Sequence, residues 1–245
     1  MPKSAGLGDN LYVAGYDLSG DIGALDSISG GPSPLEVTGI DKSGYERIGG
    51  ARDGGIEFTA FFNKATDRAH PRLKLLPTTD AIVSYLRGTA LGGQAACLVG
   101  KQLNYDGNRG EDGSLTFKVA AKANGFGLEW GRTLTAGKRT DSAPTNGTGV
   151  DLTTVSTTFG WQAYLHVFAF AGTSVTVTLQ DSADDSSYAN LAGGAFTAAS
   201  GVTSERLAGA GGATVRRYLR AITSGTFSNA VIAVVFVRNE TAVVF

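Results

Sequence analysis

The chain has 245 residues, 42% hydrophobic and 18% charged, which excludes a disordered segment and leaves room for one or two domains with a real core. Its net charge of −1 argues against a protein that wraps nucleic acid, because neutralising phosphates takes clustered Lys and Arg. The lone Cys97 excludes an internal disulfide framework, and no apolar run approaches the roughly 20 residues of a membrane span. Glycine is the outlier: its 35 residues are about twice average usage, scattered without a period, as suits a chain with many turns. Residues 1–10 are polar and carry no signal-peptide core, so the expectation is a protein made in the cytoplasm that leaves it only by lysis.

In chain order, residues 11–16 are a short strand-like run, followed by a glycine-rich stretch over 20–34. Residues 35–40 and 56–62 alternate apolar and polar as half-buried strands do. Thr78, Thr79 and Asp80 precede an apolar run that ends at Gly88, a cap-and-stop pattern that predicts one short helix. Residues 97–105 and 114–123 predict two strands around a turn at 106–110. Residues 136–149 are turn formers without apolar periodicity and read as a linker. Charge also drops there: 16 Lys/Arg and 16 Asp/Glu lie before residue 146, only 5 and 6 from there on. The second half predicts strands at 161–170, 175–179, 214–222 and 230–238, with a polar turn at 181–187, a pattern of short strands that suggests a β-sandwich. The division is therefore a first domain over 1–145 and an outer β-sandwich over 146–245.

The residues that carry chemistry are sparse. His70 precedes Pro71 in a basic loop, and His166 sits mid-strand with Tyr164 and Phe168 on its face, a packed position. One cysteine and two distant histidines do not make a zinc site, and no Ser-His or Cys-His signature is present. The glycine pairs open no helix after a strand, and there is no phosphate-binding loop. Asp181, Asp184 and Asp185 share one loop but lack the spacing of a calcium loop. No acid, base and nucleophile converge, so the expectation is a protein that is not an enzyme and holds no cofactor or metal. Arg216, Tyr218 and Arg220 share a strand face that fits either a partner subunit or solvent. Arg47, Arg52, Arg68, Arg72 and Lys74 read as surface or inter-subunit charge pairs.

The run Gly15-Tyr16-Asp17-Leu18-Ser19-Gly20-Asp21-Ile22-Gly23-Ala24-Leu25-Asp26-Ser27-Ile28-Ser29-Gly30-Gly31 resembles the N-terminal signature of tail tube proteins of long-tailed (siphovirus-type) actinobacteriophages. Its continuation over 35–43, then Tyr45 to Ile48 and the Arg52-Asp53-Gly54 turn, extends the resemblance across residues 9–65, and more loosely to 135. The resemblance implies a β-sandwich or barrel core with one helix, an outer immunoglobulin-like or related β-sandwich, and hexameric rings stacked into a tube. It implies as partners other copies of the chain, the tape measure protein, the tail terminator and initiator proteins, and double-stranded DNA in transit. The location implied is the virion tail, assembled in the host cytoplasm. A lumen that lets DNA pass should be polar to acidic rather than basic. The candidate subunit-interface residues are Asp17, Leu18, Ser19, Asp21, Ile22, Arg47, Arg52, Asp53, Arg216, Tyr218 and Arg220. Alternatives are a capsid decoration or minor tail protein, or a carbohydrate-binding module that stacks host glycans on Trp161, Tyr164 and Tyr188.

Overall fold

The computed structural model describes residues 5–242; residues 1–4 of the polar N-terminal stretch lie outside it. The elements are β1 Asn10–Val13, β2 Tyr16–Asp17, a 3-10 turn Ser19–Asp21, β3 Ile22–Glu36, β4 Arg47–Phe61, α1 Ala69–Leu73, β5 Ala81–Leu86 and β6 Gln94–Gln102. They continue with β7 Asp106–Arg109, β8 Leu115–Ala123, β9 Glu129–Thr133, β10 Arg139–Asp141 and β11 Val150–Asp151. The last four are β12 Trp161–Ser182, β13 Ala189–Ala195, β14 Thr203–Ala208 and β15 Tyr218–Arg238. The fold is mainly β, in one hydrogen-bonded sheet that forks at β6. The C-terminal end of β6 pairs with β8, leading through β4 to β3; its N-terminal end pairs with β9, leading to β15 and β12.

The forked sheet encloses three apolar clusters. The first joins Leu11, Leu18, Ile56, Phe58, Leu73, Val83, Leu98 and Val119 of the N-terminal half. The second fills the C-terminal half from Leu134 to Phe236. The third is shared: Tyr12, Ile82, Leu86 and Cys97 meet Tyr164, Ala233, Val235 and Val237. Burying one such side chain contributes about 1.5–3 kcal/mol, so a cluster drawn from both halves fastens them to each other.

β12 and β15 pair along nearly their whole lengths, from Trp161↔Arg238 to Ser182↔Tyr218. The ribbon folds over the second cluster, which takes Ala163, Leu165 and Val167 from one limb and Val175, Val177 and Leu179 from the other. Register shifts between Val167 and Ser174 mark the bend. Gly172 sits there at φ +149°, and a Cβ would lie 2.4 Å from Phe227 Cα, so only glycine fits. The limb from Trp161 to Val167 has the second cluster on one face and the third on the other, which explains its apolar character without clean alternation.

Several expected elements are corrected. The run before Gly88 is β5, not a helix: all six residues are buried, Val83 and Tyr85 toward the first cluster, Ile82 and Leu86 toward the third. Ile82, Val83 and Tyr85 favour the extended backbone, and a run buried on both faces suits a strand covered on each side. The short helix is α1, which tolerates Pro71 in its first turn. The glycine-rich stretch at 20–34 is, from Ile22 on, strand β3. The turn expected at 106–110 is mostly β7, and the hairpin turns at Gly110, whose N–H donates to Ser114 O at 2.8 Å. The segment read as a linker is tied down: β10 pairs with β15, and the N–H groups of Thr145 and Gly147 donate to Thr223 O and Ala221 O. The four second-half strands are the two limbs of β12 and the two of β15.

Candidate functional site

β3 and β4 form a long two-stranded arm, in register from Ile22↔Ala60 to Glu36↔Arg47. Its base is anchored, since Ile56, Phe58 and Ala60 are buried and Ile22, Leu25 and Ile28 pack against the first cluster. β8 covers β4 only from Gly55 to Phe61. From Arg47 to Gly54, β4 therefore pairs with β3 alone, and among the described residues no strand pairs with the outer edge of β3. That edge is blunted by Pro32, Pro34 and three register shifts, devices that keep a free edge from pairing indiscriminately.

The arm ends in residues 37–46. Val37 N–H donates to Glu46 O at 2.9 Å, Glu46 N–H to Thr38 Oγ1 at 3.0 Å, and Lys42 N–H to Gly39 O at 3.1 Å. Lys42 stands between Asp41 and Glu46, 3.9 and 3.7 Å away. These exposed pairs contribute little stability. The tip nonetheless presents Leu35, Val37, Ile40, Tyr45 and Ile48 to solvent, with Tyr45 71% exposed and Ile40 fully so. Large apolar side chains held out on an ordered hairpin are the feature of this surface that packing within the chain does not explain.

The expected interface residues fall in three separate places. Leu18 is fully buried in the first cluster. Ser19 Oγ accepts the Leu11 N–H at 3.0 Å and donates to Asp17 Oδ1 at 2.6 Å. Asp21 is buried, its carboxylate accepting from Asn63 Nδ2 at 2.8 Å and the Ala69 N–H at 3.0 Å, so it fixes the start of α1. Asp17 pairs with Lys138 at 2.5 Å. Burial would raise the Asp17 carboxyl, but Lys138 and Ser19 hold it below its ordinary value. Ile22 begins the arm, on which Arg47 stacks near Tyr45, Asp53 is exposed and Arg52 lies 4.0 Å from Glu129. Arg216 grips Asp181, at 2.7 Å from Nη2 and 2.9 Å from Nε, Arg220 donates to Gln180 at 2.8 Å, and Tyr218 pairs with Asp151 and Ser182 in the sheet. The hydrogen bonds of Arg216 and Arg220 are thus made to neighbouring strands of the same chain.

The carbohydrate platform is corrected. Trp161 and Tyr164 are fully buried, and Tyr188 lies beneath Arg220, whose guanidinium carbon is 4.0 Å from its ring centre. The acidic turn is structural: Asp184 accepts the Ser187 and Ser186 N–H groups at 2.8 and 3.0 Å and the Ser182 hydroxyl, which hold it well below the usual carboxylate range.

Sequence reasoning missed two polar clusters at the seam between the halves. His166 Nδ1 accepts the Gly15 N–H at 3.1 Å, so its proton lies on Nε2, which donates to Ser84 Oγ at 2.9 Å. Cys97 Sγ donates to the same oxygen at 3.1 Å. Burial pushes the Cys97 thiol up to about 12 and His166 down to about 3, so the chain of three is neutral and the thiol is not activated. Gly15 presses so closely on this region that a Cβ would stand 2.8 Å from Thr203 O. In the second cluster, Glu129 accepts from Arg206 Nη2 at 2.9 Å and from the Tyr164 hydroxyl, and burial first, then Glu129, pushes that phenol far above its usual range. The residues come from strands far apart in sequence, so no local motif announces them. Among the described residues no group of His, Cys, Asp and Glu is placed to hold a metal ion.

No family model and no curated protein matches the chain. Two of the solved structures similar to it are tail components. One is the tail of an empty GTA particle with C6 symmetry, at a TM-score of 0.36 and 16% identity over 44% of this chain and 80% of the other. The second is the SPP1 Dit (gp 19.1) protein, described as a hub of the adsorption apparatus in phages infecting Gram-positive hosts, at 0.35 and 13% over 94% and 99%. At TM-scores of this size neither likeness decides what the chain does.

Proposed function

We propose that this chain is a structural subunit of a phage tail that associates with copies of itself into stacked rings of a tail tube, the conduit for double-stranded DNA. The observation that carries the reading is the β3–β4 arm, an ordered hairpin with a free edge along β3 and an apolar tip. A free edge offers main-chain hydrogen bonds to a neighbouring strand, and a head-to-tail contact that closes produces a ring. The arm's register is already made in the subunit, so assembly orders few new residues at about 1–2 kcal/mol each. The resemblance over residues 9–65 points the same way and spans this arm. The tape measure protein and the terminator and initiator proteins are the partners this role entails. Negative-stain electron microscopy of the purified protein tests it: six-fold rings or hollow tubes are expected, and a particle that stays monomeric at high concentration contradicts it.

A further inference from the structure

A second exposed surface lies on the N-terminal half, around α1 and β8. Phe62, 40% exposed, sits 4.4 Å from the His70 ring and 5.9 Å from Phe117, and Phe117 stacks on Tyr105 at 4.2 Å, so four rings form a continuous floor. The His70 Nδ1 and Tyr105 hydroxyl lie 3.1 Å apart, locking two of the rings together. Leu75, Leu76, Leu103 and Leu115 are exposed on the segments around it. The segment from Phe62 to Leu76 holds four Lys/Arg and one Asp, which is taken by Arg72. Lys64, Arg68 and Lys74 are exposed and have no ion-pair partner among the described residues.

The arm tip has the opposite balance. From Leu35 to Ile48 it carries three acidic residues and two basic ones, around the five exposed apolar side chains. We propose that the arm tip of one copy docks on the Phe62–His70–Tyr105–Phe117 floor of the next. The apolar groups of each surface cover those of the other, and Glu36, Asp41 and Glu46 meet Lys64, Arg68 and Lys74. The contact is heterologous, because tip and floor are different surfaces, so it propagates from copy to copy instead of stopping at a two-fold dimer. The inference rests on the self-assembling role above and names the partner surface of its arm.

The test mixes two full-length single variants, Ile40→Cys and Lys64→Cys, under mild oxidation. Cys97 is buried and does not compete. Disulfide-linked pairs of unlike chains should form in excess over pairs of like chains, and Glu36→Lys with Glu46→Lys on the Ile40→Cys chain should abolish them. Adding Lys64→Glu with Arg68→Glu on the partner, its cysteine moved to Phe62, should restore them. Absence of the mixed disulfide overturns the docking whether or not rings are seen. A mixed disulfide without rings or tubes upholds the docking and overturns the tube reading.

Discussion

Replacing His166 with leucine removes the polar link at the seam while keeping an apolar side chain of similar size. It leaves the buried Gly15 N–H without its acceptor, at about 1–3 kcal/mol. It also removes ring contacts with Tyr12 and Phe168, both at 5.9 Å, worth about 0.5–1.5 kcal/mol each. The expected loss at neutral pH is therefore about 2–6 kcal/mol. Acid should shrink that loss. His166 titrates at about 3 in the fold against 6.5 ordinarily, so below 6.5 the unfolded chain binds a proton that the folded chain refuses. Wild-type stability then falls by about 1.4 kcal/mol per pH unit from this group until the folded value is reached. The leucine variant lacks that slope, so the gap between the two proteins should shrink by about 2.7 kcal/mol by about pH 4.5. Urea midpoints at both pH values, with m unchanged, read the difference. An equal loss at both pH values, or no loss at neutral pH, would refute the reasoning.

Arg206→Met leaves the buried Glu129 carboxylate with only the Tyr164 hydroxyl and Arg52 at 4.0 Å, and should cost up to about 3–5 kcal/mol in urea unfolding, with partial recovery in the Glu129→Leu/Arg206→Met double variant. Gly15→Ala should lower the thermal midpoint, because its Cβ meets Thr203 O and φ is +85°. Asp17→Asn should destabilise at neutral pH and have no effect once pH falls below the depressed Asp17 value, since the stabilisation is present above the unfolded carboxyl pKa and is lost on acidification. Ile40→Asp, at a fully exposed position, should leave the unfolding free energy within about 0.5 kcal/mol of wild type while weakening self-association in sedimentation.

The β-rich class and many strand positions were legible because alternation and turn residues mark them directly, but the alternating run at 35–40 is strand only to Glu36 and then enters the exposed arm tip. The helix assigned before Gly88 failed because cap and stop residues flank a strand as readily as a helix, and a strand buried on both faces loses its alternation. β12 and β15 were each read as two strands because Gly172 and Gly225 look like ends, whereas the partner strand bends with them and pairing continues. The arm was hidden by composition: a Gly, Ser and Pro run reads as loop until a second strand supplies its hydrogen bonds. The Arg216 and Arg220 face looked available because Asp181 and Gln180, 35 and 40 residues away in sequence, are brought to it only by the β12–β15 register. Trp161 and Tyr164 were candidates for sugar stacking until both faces of their strand proved covered.

Sedimentation velocity over a concentration series, comparing wild type with a variant in which residues 31–53 are replaced by a two-residue turn, tests the assembly role most directly. The cut leaves the Ile56–Phe61 base and its β8 pairing intact, so thermal unfolding should stay cooperative in both proteins. The account predicts large, concentration-dependent species for wild type and a monomer for the variant. Wild type that remains a monomer throughout, or a truncated protein that assembles as well as wild type, would contradict it.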